Sequence, residues 1–489
     1  MVFSSLFFLF AFLPANLLCY FACKTVKTRN IILLLFSLVF YAFGEPVYIA
    51  ILVLMSLFCW LFSRLIDTSR SDSEKKLWLA AAVAVCIGAI GYFKYIGFAV
   101  ESLNDIIGKD LIAVPQVQLP IGISFYTFQL LTYVIDVYRG DVPSQKSYWK
   151  VLLYASLFHQ CIAGPIVRYG DIENELTERH TNLAEMSQGL TRFTAGLAKK
   201  AILANGCGAV ADTLLLTDAA IGNGALLSDN IAEITSRSAL ALWAGMAFYM
   251  LQIYLDFSSY SDMAIGMGLM CGFHYKENFN YPYTAYSVTD FWRRWHMSLS
   301  TFFRDYVYIP LGGNRKGKLR QVFNLFAVWG LTGLWHGASW NFVLWGLYFF
   351  VLLILEKFVF GKYLEKAKIV GRIYLLTTVF FGWVLFKFTD FTILGTVIKG
   401  MFGLNGNPAS TYEATSFISG YIFFFIICCV ACTPIAKTAK KLLIKYGKVS
   451  RPVNVVYRTL DIALPLVLIL LASISLVGDS YNPFLYFQF

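Results

Sequence analysis

GLTGLWHGASWNFVLWGLYFF, residues 330–350, holds a single side chain that titrates near neutrality, His336, between two apolar runs. Gly333 and Gly337 flank that histidine, and glycine permits a close approach of backbone. The flanking runs, 322–334 and 340–358, have the composition of membrane helices, which need about 20 apolar residues to cross the hydrocarbon core. Runs of the same kind recur at 3–23, 31–43, 46–66, 77–93, 120–137, 150–167, 238–271, 371–389, 415–433 and 460–477. Short runs beside Gly or Pro suggest re-entrant segments, tolerated only where protein or a water-filled cavity satisfies the backbone. The expected fold is all-α, a polytopic membrane bundle of about eleven transmembrane helices with re-entrant and interfacial helices.

Composition supports that fold class. The 489 residues are 58% hydrophobic and only 14% charged, whereas a soluble domain carries about 25% charged residues. Mean hydropathy is +0.63. The net charge of +11 lies in clusters between apolar runs. There it marks cytoplasmic loops rather than nucleic-acid binding. The clusters are Lys24, Lys27 and Arg29, then Arg64 to Lys76, then Lys357 to Arg372, then Lys437 to Arg458, the last without an acid from Pro434 to Arg458. They place both termini outside. The N-terminal MVFSSLFFLFAFLPANLLCYFAC has no basic residue ahead of its apolar run, so it reads as a retained first helix. Cys428, Cys429 and Cys432 form a CCxxC inside a span, with no second pair or histidine beside them, so no metal site is expected. No repeat or long soluble insertion interrupts the chain. It reads as one membrane domain, with N-terminal helices over 1–116, a core over 117–350 and C-terminal helices over 351–489.

The core is crowded with polar groups at membrane depth, among them Gln129, Asp136, His159, Gln160, Arg168, Gln252, Asp256, Asp262, Asp290, Arg293, Arg294, His296 and His336. Charges at that depth normally face a bundle interior or aqueous cavity and carry function. Among the five histidines, His180 lies in a polar loop, His274 at an interface, and His159 at an apolar helix end that suits a buried structural role. His296 belongs to DFWRRWHMSLSTFFRDYVYIPLGGNR, in which Asp290 and Arg294 can pair at i, i+4. Two readings of this block stand side by side. It is a cationic helix along the membrane surface, with Trp292 and Trp295 as its interfacial aromatics. Or it is a wall that holds an anionic acyl donor through Arg293 and Arg294 and presents His296. His336, beside Trp335 and ahead of Asn341, is the better candidate base, because imidazole titrates near neutrality and can accept a hydroxyl proton.

With these motifs assembled, the sequence resembles the membrane-bound O-acyltransferase (MBOAT) family, nearest to its bacterial alginate O-acetyltransferase-like branch. The resemblance rests on LWHG, the DFWRRWH block, IAGPIVRYGDI, QIYLDFSSYSDMAIGMGLMCGFHYKENFNYPY and the closing YNPFLYFQF. It implies that His336 is the family's near-invariant histidine and His296 the second histidine of this branch. It further implies a central catalytic tunnel and an acetyl thioester, acetyl-CoA, as co-substrate from the cytoplasmic side, with no bound cofactor. The acceptor would be a polysaccharide outside, acetylated directly or through an extracellular hydrolase-like partner. Two other readings remain: D-alanyl transfer to teichoic acid, and a transporter without covalent chemistry. Matching motifs in the two halves, expected of many transporters, are not found.

Overall fold

The computed structural model describes residues 2–162, 164–478 and 484, and among these it contains helices and no strand. Seven helices there are long and apolar enough to cross a membrane: Val26–Gly44, Ile49–Thr68, Asp72–Ile107, Ala239–Met270, Trp340–Lys366, Lys368–Lys387 and Arg451–Gly478. Tyr412–Gly420 and Ile422–Ala431, bent by 51°, make an eighth if they form one broken span. An all-helical chain fits a bilayer because a helix satisfies its own backbone groups where no water can.

Several apolar runs sit inside longer helices than hydropathy alone delimits. The 31–43 run is the centre of Val26–Gly44, whose first turn is capped by Thr25, with its hydroxyl accepting the Thr28 amide at 3.2 Å. The 322–334 run is the inner part of Lys318–His336. The expected 150–167 span does not form. Its helix, Tyr148–Ser156, stops after 9 residues, and a buried irregular segment follows. Side chains meet part of that segment's backbone: Ser37 Oγ accepts the Phe158 amide at 3.1 Å, and the Tyr154 hydroxyl donates to the Val167 carbonyl at 2.9 Å. Irregular backbone at membrane depth survives only when protein supplies such partners.

The chain folds into two compact units, the first of Met1–Gly196 and Tyr260–Asn278, the second of Leu197–Ser259 and Phe279–Phe489. In the first, Arg179 is buried and fully engaged. Its guanidinium donates to Tyr20 Oη, Asn30 Oδ1 and the Glu175 carbonyl, each at 2.9 Å, and lies 4.1 Å from the Phe273 ring centroid. Arg192 joins Asp262 at 3.0 Å and Glu277 at 2.5 Å. His159 is buried beside Tyr275, with 3.3 Å between its Nδ1 and the phenol oxygen. His274 pairs with Glu175 at 2.7 Å, and His180 is exposed. These polar groups act as structural ties within the first unit. His296 and His336 belong to the second.

Candidate active site

The Lys318–His336 helix ends at the histidine itself, and Gly337 turns extended before Trp340–Leu355 begins. The two helices then press backbone on backbone. A Cβ on Gly333 would collide with the Phe342 carbonyl, one on Gly346 with the Trp329 carbonyl, and one on Gly337 with the Phe342 ring. Small residues at such a crossing are what let membrane helices approach closely. The outcome is a buried imidazole, 6% exposed, walled by aromatic rings. Trp345 stands edge-on at 4.8 Å between centroids, Trp335 at 4.9 Å and Phe386 at 5.2 Å.

Phe386 arrives from the end of Lys368–Lys387, and two contacts fix that end. Asn341 Nδ2 donates to the carbonyls of Leu385 at 3.3 Å and Phe386 at 3.1 Å. The neighbouring Lys387 is buried, with its ammonium 2.9 Å from Asp218 Oδ1 and 4.6 Å from the Tyr249 ring centroid. A buried cation of this kind persists only when paired.

His296 is placed by a different local device. Val288–Trp292 is a short helix whose first amides are taken by the buried Glu356 carboxylate, Val288 at 2.5 Å and Thr289 at 2.8 Å. Helical turns resume at Met297–Phe303, and between the two helices His296 adopts φ 44 and ψ 56, in the left-handed region. A non-glycine residue held there costs about 1–3 kcal/mol, and such strain clusters at functional sites. The ring is 1% exposed, with Phe257 edge-on at 4.7 Å and Trp335 at 5.4 Å. Burial drives the His296 pKa down to about 3, so its imidazole is neutral near pH 7. One indole, Trp335, therefore contacts both histidines, although 40 residues separate them in sequence.

The left-handed turn also corrects the surface-helix reading of this block. No single amphipathic helix runs through residues 288–308, and both tryptophans turn inward. Trp292, 9% exposed, packs on Trp329, Trp345 and Phe349. Trp295, 2% exposed, packs on Phe279, Phe291 and Trp383. The Asp290–Arg294 pair forms at 2.9 Å, while Arg293 is exposed. Of the closing YNPFLYFQF only Phe484 lies within the described residues, buried 6.4 Å from Phe257 between ring centroids.

Sequence reading missed Trp345, Phe386, Lys387 and Glu356. The last two left a signal, as charged residues at the ends of otherwise apolar runs. A second buried pair, Lys200 with Asp256 at 2.7 Å, sits one residue before Phe257 and stabilises the helix that carries it.

The two imidazoles thus sit buried among aromatic walls with few fixed charges. The model of the membrane-bound O-acyltransferase family matches residues 142–398, a stretch that contains both histidines. The chain belongs to that family and is an O-acyltransferase. It is 35% identical to a protein of Pseudomonas putida named a probable alginate O-acetylase, over the full length of both chains. It is 31% identical to the peptidoglycan O-acetyltransferase of Helicobacter pylori, covering 83% of this chain and 80% of that one. Similarity to the teichoic acid D-alanyltransferase of Bacillus subtilis is 29% identity over 51% of this chain and 61% of that one.

Proposed function

We propose that this protein is an O-acetyltransferase of the cell membrane that serves an extracellular or cell-wall polysaccharide. The donor is a cytoplasmic thioester, acetyl-CoA, which is a co-substrate and not a bound cofactor. The acetyl group passes through a tunnel in the bundle to a hydroxyl acceptor outside, directly or through an extracellular hydrolase-like partner. In this reading 117–350 is the catalytic core, shorter helices such as Ile123–Arg139 bring the crossings to about eleven, and both termini lie outside. His336 acts as general base toward the acceptor hydroxyl, and His296 serves the acceptor or partner step. Arg293, Arg294 and their neighbours Asp290, Trp292, Trp295, Trp335 and Asn341 form the donor side.

The observation that carries the proposal is the meeting of His336 and His296 on Trp335, in a chain that aligns end to end with alginate O-acetylases. D-alanyl transfer is the second reading, favoured by half-chain likeness to teichoic acid D-alanyltransferases such as the Bacillus protein.

The test is acetyl transfer from labelled acetyl-CoA in proteoliposomes, with alginate and peptidoglycan fragments as acceptors. A general base contributes about 10²–10⁴-fold in rate, so His336→Gln should lose transfer on that scale while keeping its melting temperature. Wild-type transfer by folded His336→Gln refutes the assignment. Consumption of a D-alanyl thioester in place of acetyl-CoA favours the second reading.

A further inference from the structure

We propose, resting on the acyl-transfer reading above, that Trp345 is the oxyanion-stabilising residue of the site, its indole Nε1–H donating to the acyl carbonyl oxygen beside His336.

Trp345 is fully buried, and its Nε1 has no hydrogen-bond partner. A buried donor left unmade costs free energy, so its retention in a native site asks for a cause. Packing alone does not supply one. The neighbours of this ring are Phe349, Phe386, Trp292 and Trp383, at 5.1, 5.5, 5.4 and 6.2 Å between centroids. An all-carbon ring system of the same size would satisfy such surroundings without bringing a nitrogen into them.

A second observation lies one turn earlier on the same helix. Asn341 is fully buried, and its Oδ1 is also without a partner although its Nδ2 is engaged. Residues at i and i+4 share a helix face. One face of Trp340–Leu355 therefore carries an unused acceptor and an unused donor, and its Trp345 ring meets His336 edge-on, at 79°. That is the pattern of a surface built for a polar ligand. Trp292 also has an unpartnered Nε1, but its ring packs on Trp345, Trp329 and Phe349. Trp335 also lies against His336, at 4.9 Å, but it stands on the histidine's own helix; Trp345 is the indole that reaches the base from the neighbouring helix, on the face that carries Asn341.

The step balances without a further reactant. The acceptor hydroxyl oxygen bonds to the thioester carbonyl carbon as its proton passes to the His336 imidazole. The carbonyl π electrons move to oxygen, and the resulting alkoxide accepts the Trp345 N–H. Collapse re-forms the C=O bond and breaks the C–S bond, and the leaving thiolate takes the proton from the imidazolium. Donors held rigidly where charge develops, in a site that excludes water, need no reorganisation as the charge appears.

The experiment uses the full chain in proteoliposomes with acetyl-CoA. Two variants are compared: Trp345→Phe, and Trp345 replaced by 3-benzothienylalanine, which keeps the bicyclic shape and exchanges the N–H for sulfur. Removing one oxyanion donor costs about 10²–10³ in kcat. Both variants should fall on that scale, with the KM for acetyl-CoA within about twofold of wild type. The melting temperature of the benzothienyl protein should be unchanged or higher, because an unsatisfied donor has gone. Wild-type kcat in the benzothienyl protein overturns the proposal even if Trp345→Phe is slow, since the phenyl variant then reports only lost volume. Absence of acetyl-CoA turnover in the wild type sinks the acyl-transfer reading instead, and the assignment of Trp345 falls with it.

Discussion

Replacing Gly346 by alanine tests whether the crossing of Lys318–His336 and Trp340–Leu355 sets the position of His336. A methyl group at 346 meets the Trp329 carbonyl oxygen and comes within 3.2 Å of the Gly333 Cα and amide nitrogen. Carbon contacts relax at about 3.5–4.0 Å, so the helices must part by roughly 1 Å at this point. Overpacking of that size costs about 1–3 kcal/mol. Alanine's better helix propensity returns about 1 kcal/mol, which leaves a net loss of about 0–2 kcal/mol. The effect on rate is larger, because a misplacement of about 1 Å at a catalytic group can cost about 10²-fold. Gly346→Ala should therefore lose roughly two orders of magnitude in kcat with a modest fall in melting temperature. Gly330→Ala is the internal control, since a Cβ there meets nothing within 4 Å. It should keep full activity and match or exceed wild-type stability. Initial rates in proteoliposomes and melting curves in detergent give both numbers. Equal kcat in the two variants would refute the claim that this crossing positions the base.

The two arginines should separate by role. Arg294 spends its guanidinium on Asp290, so Arg294→Ala should lower thermal stability, whereas the exposed Arg293, replaced by alanine, should raise the KM for the acetyl donor more than it lowers kcat. Equal and purely thermal effects of both changes would remove the phosphate-holding role. The basic loop tests orientation: Lys445→Cys, in a background without the exposed Cys19, should resist a membrane-impermeant thiol reagent in intact cells. Ready labelling there would reverse the topology and move donor entry to the other face.

Much of the fold was legible because hydropathy reports directly on a solvent that cannot hydrogen-bond. The long helix over 238–271 and the C-terminal span at 460–477 were read within a few residues of the start or end of Ala239–Met270 and inside Arg451–Gly478. The failures have a common cause. In 150–167 apolar composition continues past Ser156, but side chains far away in sequence, such as Ser37, satisfy an irregular backbone there. In the DFWRRWH block the helical pattern runs on, but His296 sits at positive φ, a conformation that composition does not encode for a non-glycine residue. The two histidines stood out in the sequence because groups that titrate near neutrality are scarce in an apolar chain. Phe386 and Trp345 were invisible for the opposite reason, since one more aromatic residue in a span carries no signal until tertiary packing brings it to the imidazole.

The charges around the site follow one electrostatic rule. Lys387 is matched by Asp218, Arg294 by Asp290, Lys200 by Asp256, and Glu356 by the amides that open Val288–Trp292. Each compensation is local, as it must be where the effective dielectric is low and an uncompensated charge is costly. At His296 burial alone lowers the pKa, which keeps that imidazole neutral. Neutrality is the state a base needs before it accepts a proton. In the proposed step imidazolium and alkoxide would form side by side, and the same low dielectric that disfavours either ion alone would strengthen their mutual attraction. A permanent cation beside His336 would stabilise the alkoxide but disfavour the imidazolium formed in the same step. A fixed N–H dipole, as proposed for Trp345, would stabilise the oxygen with far less of that penalty than a lysine or arginine.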